Sequence, residues 1–229
     1  MQNTNGANKA DSANGNVRKV KVKTVHAGRT ARQTKVRSLV MTALMGVLSF
    51  ILMYFQFGVP IISPFAEFDA SALPEIIGGF ILGPVGAIEI IVVKLVLKLL
   101  FKGTSSMFTG EILNFLLSVA YVLPAIMYYR KHRTKKGAII GLVLGTVIGV
   151  AFSVVGNLYI TFPMYIYLYN MSWEQIIAIF NEINPRITNI PTMAAFSVVP
   201  FNLISRISTS VITMLVYKKI SVPIKKFIS

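Results

Sequence analysis

The sequence contains no cysteine, two histidines and eight acidic residues among its 229 positions. The absence of cysteine excludes a disulfide framework, a thiol nucleophile and a thiolate metal site. His26 lies in a polar segment and His132 in a basic loop, so a histidine-rich metal site is not expected. Asp11 and Asp69 are the only aspartates, whereas metal-dependent lipid transferases need clustered aspartates. We therefore expect neither an enzyme nor a bound metal or cofactor.

Charged residues are also scarce, at 14% of the chain against about 25% in a typical soluble domain. Hydrophobic residues make up 54%, and the mean hydropathy is +0.66. This composition predicts a polytopic membrane protein that forms one compact bundle. The net charge of +15 would suit a nucleic-acid partner. The basic residues sit at the ends of apolar runs, however, which favours contact with a lipid bilayer and no nucleic acid.

Six apolar segments predict six transmembrane helices, over residues 38–57, 71–83, 85–101, 111–129, 137–162 and 190–217. The second segment is short for a full span. Residues 58–69 contain two prolines and end in two acids, so we expect an irregular outer loop that folds over the bundle. Residues 172–183 begin with Ser-x-x-Gln and predict a short surface helix.

Basic residues mark the topology. Residues 1–37 predict a disordered basic cytoplasmic tail, residues 38–220 a substrate-binding transmembrane domain, and residues 221–229 a second cytoplasmic tail. Residues 1–37, the loop after the fourth span and residues 218–229 together hold 18 of the 23 lysines and arginines. Six spans bring all three regions to the cytoplasmic side, as the positive-inside rule requires. The predicted fold is thus an all-α, six-helix bundle in the cell membrane, with both termini cytoplasmic.

Polar side chains inside the spans are costly in lipid and therefore indicate a function or a partner. Lys94 and Lys98 lie on one helix face, and a solute-facing or carboxylate-paired role is expected for one of them. The predicted pocket collects amides, charges and nearby aromatic rings at the outer half of the bundle: Asn157, Asn202, Glu111, Asn114, Lys98, Phe68 and Phe201. Such a pocket suits a small aromatic solute. Asparagines also serve simply to hold membrane helices together, and the spacing leaves that alternative open.

Five segments occur in an order that resembles a known family: EFDASALPEIIGGFILGP, KLLFKGTSS with GEILNF, RKHRTKKGAIIGL, GNLYITFPMY and VVPFNLIS. Over about residues 38–220 they resemble the riboflavin-specific substrate-binding (S) subunit of energy-coupling factor (ECF) vitamin transporters. The resemblance implies six helices, an outward-facing vitamin pocket capped by the first outer loop, and ATP hydrolysis on other subunits. Those partners would be a transmembrane coupling subunit and two cytoplasmic ATPases. The chain has no G-x-x-x-x-G-K-[ST] motif.

The resemblance also implies roles for individual residues. Flavin-contacting amides fall on Asn157 and Asn202. In this family, small residues four apart on the first helix dock the coupling subunit. The candidates here are Thr42, Ala43 and Gly46. Packing of helices inside the protein explains the same spacing equally well.

The family pattern has a lysine three residues after the asparagine of PFN, where this chain has Ser205 followed by Arg206. The resemblance predicts high-affinity riboflavin capture for an ATP-driven importer. Because the lysine is absent, an S subunit for another flavin or vitamin is the alternative. An ion-coupled secondary carrier is the other rival. It would need acids in mid-span, and only Glu75 and Glu89 qualify.

Overall fold

The computed structural model of the chain describes residues 11–104 and 108–228, with side chains described over 32–104 and 108–217. Within these ranges nearly all of the backbone is helical. The helices are α1 (Asp11–Tyr54), α2 (Ala72–Leu82), α3 (Pro84–Lys102), α4 (Thr109–Lys131), α5 (Lys135–Gly156), α6 (Phe162–Tyr169), α7 (Trp173–Ile183), α8 (Ile190–Met193) and α9 (Val199–Ile228). Two short strands, β1 (Phe57–Val59) and β2 (Ser63–Phe68), follow α1.

Each of the six apolar segments predicted from the sequence is helical. Four stretches of the described chain are long and apolar enough to cross a membrane: Arg32–Tyr54, Thr109–Lys131, Lys135–Tyr169 and Ile190–Tyr217. Helix α3 has sufficient length but carries internal charges, and α2 has only 11 residues. The protein is therefore a mostly helical membrane protein, and its six-span topology stays a prediction.

Helix α1 begins at Asp11 and continues without a break into the first apolar segment. The backbone is thus helical over residues 11–37, for which the composition predicts a disordered tail, while residues 1–10 lie outside the described residues. The division of the chain at residue 37 stays a prediction.

Residues 58–69 differ from the expected irregular loop. They contribute to an antiparallel hairpin in which Phe57 pairs with Phe68 and Gly58 with Glu67. The register shifts after Gly58, so the hairpin is short and twisted. Pairing within the hairpin satisfies backbone groups that an irregular loop would leave open at the membrane surface. The fold is therefore helical with one small two-stranded sheet.

Helices α4 and α5 pack closely because α5 presents glycines at four-residue spacing to its neighbour. A Cβ atom at Gly141 would meet the carbonyl oxygen of Ala125, and one at Gly145 would meet that of Tyr121. Only a residue without a side chain permits this approach. The close contact fixes Tyr121, which is fully buried at the centre of the bundle.

The turn between α2 and α3 requires glycine, since Gly83 has a φ of +95°. A side chain there would also collide with Arg130 at the end of α4. The turn therefore lies at the same end of the bundle as the basic loop between α4 and α5. Two apolar clusters fill the interior: one surrounds Tyr121 and Tyr129, and the other, around Phe162 and Phe180, lies beneath α7.

Candidate functional site

An internal cavity of about 180 Å³ opens where the hairpin, α2, α4, the α5–α6 junction and α9 meet. Its walls combine amide, hydroxyl, charged and apolar groups. The lining residues are Ala66, Glu67, Asp69, Ser71, Ala72, Asn114, Leu117, Ser118, Asn157, Phe201, Asn202, Ser205, Arg206 and Thr209. The structure thus brings the three predicted asparagines and Phe201 to one cavity.

Two of these asparagines lie beside breaks in regular helix. Asn157 is the first residue of a π-helical turn, Asn157–Thr161, which we call the first π turn. Asn202 follows a second π turn, Ala194–Val198. A proline stands two residues beyond each turn, at positions 163 and 200. Proline lacks the N–H of a regular helix, and the wider π turn before it absorbs this loss.

The same two amides are oriented by their own helices. The Asn157 side chain donates from Nδ2 to the Ser153 carbonyl at 2.8 Å, and the Asn202 side chain donates to the Val198 carbonyl at 2.9 Å. Each amide oxygen is then left to accept a hydrogen bond from another group. The buried Oδ1 atom of Asn114 has no partner among the residues that the structure describes. The three amides therefore offer acceptor oxygens.

Arg206 contributes the one arginine of the cavity wall. Its guanidinium lies over the ring of Tyr121, with Cζ 4.6 Å from the ring centroid. The Tyr121 hydroxyl bonds the Arg206 carbonyl at 3.2 Å and the Ser210 hydroxyl at 2.8 Å. The buried Nε of Arg206 has no partner within the described ranges. Ser205 and Arg206 both line the cavity, so Arg206 brings a positive charge to the wall, although the lysine that the resemblance implies is absent at position 205.

A buried ion pair lies against the cavity wall. Lys94 Nζ is 2.5 Å from Glu75 Oε1, and both side chains are fully buried. This confirms the prediction of a carboxylate-paired lysine on α3. The sequence reasoning missed Glu75 as the partner, because spacing along one helix reveals only intrahelical pairs.

Lys98 and Glu111 form a second ion pair, with Nζ 2.9 Å from Oε1. The Thr104 hydroxyl donates to the other carboxylate oxygen at 3.0 Å. Neither Lys98 nor Glu111 is among the residues that line the cavity, and their part in solute binding stays a prediction. Their charges neutralise each other where α3 and α4 meet. Phe68 is likewise outside the lining, since its ring packs 5.3 Å from that of Phe57 in the hairpin.

The small residues of α1 that were expected to dock a partner subunit do not share one face of the helix. Thr42 and Gly46 are buried against α3, where Thr42 donates to Glu89 at 3.3 Å and Gly46 lies against Val93. Their spacing therefore serves packing inside the molecule, which corrects their assignment to a docking surface. Ala43 is exposed, since one residue turns a helical side chain by about 100°. Ala43 remains the candidate for partner docking.

The hairpin covers one side of the cavity and contacts the helices through Ile62 and Phe65. The Ser197 hydroxyl donates to the Ile62 carbonyl at 2.6 Å, which ties the hairpin to the second π turn. On the other side, the Phe65 ring packs 5.6 Å from the Phe180 ring of α7. Helix α7 itself begins with the predicted capping box of Ser172 and Gln175.

Several wall residues were not found from the sequence: Glu67, Asp69, Ser71, Ser118, Ser205, Arg206 and Thr209. Most are short polar residues without a distinctive spacing, so no sequence signal separated them from other polar positions. Arg206 had such a signal, because it shares a helix face with Asn202 four positions earlier. Over the described residues, no group of three or more metal-ligating side chains occurs.

The fold and the cavity together define a helical membrane protein with a polar cavity among its helices. The family model for "ECF transporter, substrate-specific component" matches residues 37–217. The chain therefore belongs to the family of ECF transporter substrate-specific components. Members of this family are the substrate-binding components of a transporter and are not enzymes.

Individual relatives agree with this membership. The riboflavin transporter RibU of Streptococcus thermophilus is 31% identical over 186 residues, covering 80% of this chain and 82% of that protein. RibU of Staphylococcus aureus is 25% identical over 185 residues, covering 81% and 90%. A solved structure described as the S component of a bacterial ECF transporter shares the fold, with a TM-score of 0.65 at 23% identity. That match covers 82% of this chain and 96% of the other.

Proposed function

We propose that the protein is the riboflavin-binding subunit of an ATP-driven ECF importer in the bacterial plasma membrane. The observation that carries the proposal is the cavity at which Asn114, Asn157 and Asn202 meet from three helical segments. Relatives that cover most of the chain are named riboflavin transporters. The proposed topology has six membrane helices and cytoplasmic termini. It is supported by the position of the α2–α3 turn beside the basic end of α4.

In the proposed mechanism, riboflavin enters from outside and its ring packs against Phe201. The ribityl hydroxyls donate to the amide oxygens of Asn114, Asn157 and Asn202. The hydrogen bonds of Asn157 and Asn202 support this direction of donation. Their Nδ2 atoms already donate to helix carbonyls, so their oxygens are left to accept. The hairpin then closes over the cavity. Delivery follows docking to a transmembrane coupling subunit, with ATP hydrolysed by two cytoplasmic ATPase subunits.

A phosphorylated flavin is the second candidate, because Arg206 supplies a cation to the cavity wall. Glu67 and Asp69 line the same cavity, and their charges oppose a phosphate. This balance favours the uncharged vitamin. An ion-coupled carrier is disfavoured, since Glu75 is held in an ion pair rather than free to relay protons.

The test is to purify the protein in detergent and titrate it with riboflavin and with flavin mononucleotide, following quenching of flavin fluorescence. We expect tight riboflavin binding and weaker binding of the phosphorylated form. A protein that quenches neither flavin would refute the proposed substrate class. Uptake into cells should also require the partner ATPases, and uptake that persists after their deletion would refute the coupling.

A further inference from the structure

The buried ion pair of Glu75 and Lys94 reaches the cavity through two serines. The Lys94 ammonium lies 2.5 Å from Glu75 Oε1, 3.2 Å from Ser118 Oγ and 3.3 Å from Ser71 Oγ. An ammonium has three N–H donors and no acceptor. Glu75 and the two serines therefore occupy all of its donors, and both serines belong to the cavity wall.

This arrangement determines whether each serine hydroxyl acts as a hydrogen-bond donor or acceptor toward the cavity. Each serine oxygen accepts from Lys94, so its own hydrogen must be directed elsewhere. Within residues 32–104 and 108–217, neither hydroxyl hydrogen has a protein acceptor. Ser71 and Ser118 therefore remain available as donors on the cavity wall. The asparagines discussed above present acceptor oxygens to the same space, so the two sets of groups are complementary in polarity.

The backbone that carries Ser71 is also fixed by the network. The Ser49 hydroxyl of α1 donates to the Ser71 carbonyl at 2.7 Å and lies 3.3 Å from Glu75 Oε1. Asp69 accepts a hydrogen bond from the Ser71 N–H. Ser71 is thus held through its N–H, its carbonyl and its hydroxyl, at the junction between the hairpin and α2.

Stability alone does not account for the ion pair, because replacing a buried ion pair by apolar residues is often neutral or stabilising. We propose that Lys94, anchored by Glu75, is a positioning residue that fixes Ser71 and Ser118 as hydrogen-bond donors to acceptor atoms of the bound solute. The inference rests on the proposed function, since the carbonyl oxygens and unprotonated nitrogens of a flavin ring are acceptors of this kind.

The test is a thermodynamic cycle on the full chain in detergent. One variant carries Glu75→Leu with Lys94→Met, a second carries Ser71→Ala with Ser118→Ala, and a third combines all four changes. Riboflavin affinity is measured by fluorescence quenching and folding by thermal unfolding. We expect the first variant to unfold at or above the wild-type temperature yet to bind riboflavin about 10- to 100-fold more weakly. The serine variant should lose a similar factor, and the combined variant should lose no more than either.

Thr213→Val is the matched control, because among the described residues this buried hydroxyl bonds only the Thr209 carbonyl of its own helix. Its affinity should equal that of the wild type. Wild-type affinity in the apolar-pair variant, or fully additive losses in the combined variant, would overturn the inference. If the apolar-pair variant does not fold, the serine variant decides, and unchanged affinity there overturns the inference as well.

Failure of the proposed riboflavin-binding function can be distinguished from failure of the positioning role. If the wild type binds no riboflavin, the positioning role of Lys94 is tested without a ligand, by measuring amide hydrogen exchange of residues 69–72 in the wild type and in the apolar-pair variant. Loss of the ion pair should then speed exchange in this segment about tenfold or more, because one of the anchors of Ser71 is gone. Unchanged exchange would contradict a positioning role.

Discussion

Replacing Asn202 with alanine separates recognition from folding. The Asn202 side chain lines the cavity, and its only protein hydrogen bond in the described chain is the one to the Val198 carbonyl of the same helix. Alanine is a better helix former than asparagine, which offsets the loss of that local bond. We therefore expect the unfolding temperature to change little.

The effect on binding should be much larger. A ribityl hydroxyl that loses its acceptor inside a closed cavity costs about 1–3 kcal/mol. This corresponds to a roughly 5- to 150-fold weaker riboflavin affinity. Purified Asn202→Ala would be titrated with riboflavin by fluorescence quenching, in parallel with a thermal unfolding scan.

Asn181→Ala provides a control with the opposite expectation. The Asn181 amide donates to the carbonyls of Pro185 and Ile187 at the end of α7, away from the cavity lining. Its loss should lower the unfolding temperature and leave the affinity nearly unchanged. Wild-type affinity in Asn202→Ala would refute the assigned role. The same holds if affinity falls only in proportion to a loss of folded protein.

Two further predictions concern packing and closure. Gly145→Val would force a side chain against the carbonyl of Tyr121. It should cost about 1–3 kcal/mol of stability, lowering the unfolding temperature by several degrees, whereas Gly58→Ala, with open space around it, should not. Ser197→Ala removes the 2.6 Å bond to the Ile62 carbonyl and should speed riboflavin release several-fold in stopped-flow quenching. An unchanged release rate would argue against the hairpin as a lid.

The helical segments were predictable because long apolar runs bounded by basic residues leave few alternatives in a bilayer. The approach of Asn114, Asn157 and Asn202 was also predictable, since polar groups at similar depths of neighbouring spans have few other partners. The hairpin was not predictable. Its strands are only 3 and 6 residues long, and β2 contains a proline that disguises the pattern.

The remaining errors arise from rotation about helix axes and from pairing between helices. Thr42 and Gly46 have the spacing of a docking surface, but the sequence does not state which face of α1 meets α3. The Glu75–Lys94 pair joins two helices whose relative depth follows from the α2–α3 turn. Such information belongs to tertiary structure and has no counterpart in residue spacing.

The two π turns have a consequence for how the cavity changes between related proteins. Removing one residue from the first π turn would restore regular helix there, and the helix beyond it would keep nearly the same orientation, because a π turn holds about one residue more than an α-helical turn. Such a deletion would act on Asn157, the first residue of the turn, and leave the helices on either side in place. Relatives that lack the extra residue at this turn should therefore differ in how they hold the solute at this one position while the rest of the cavity wall stays alike.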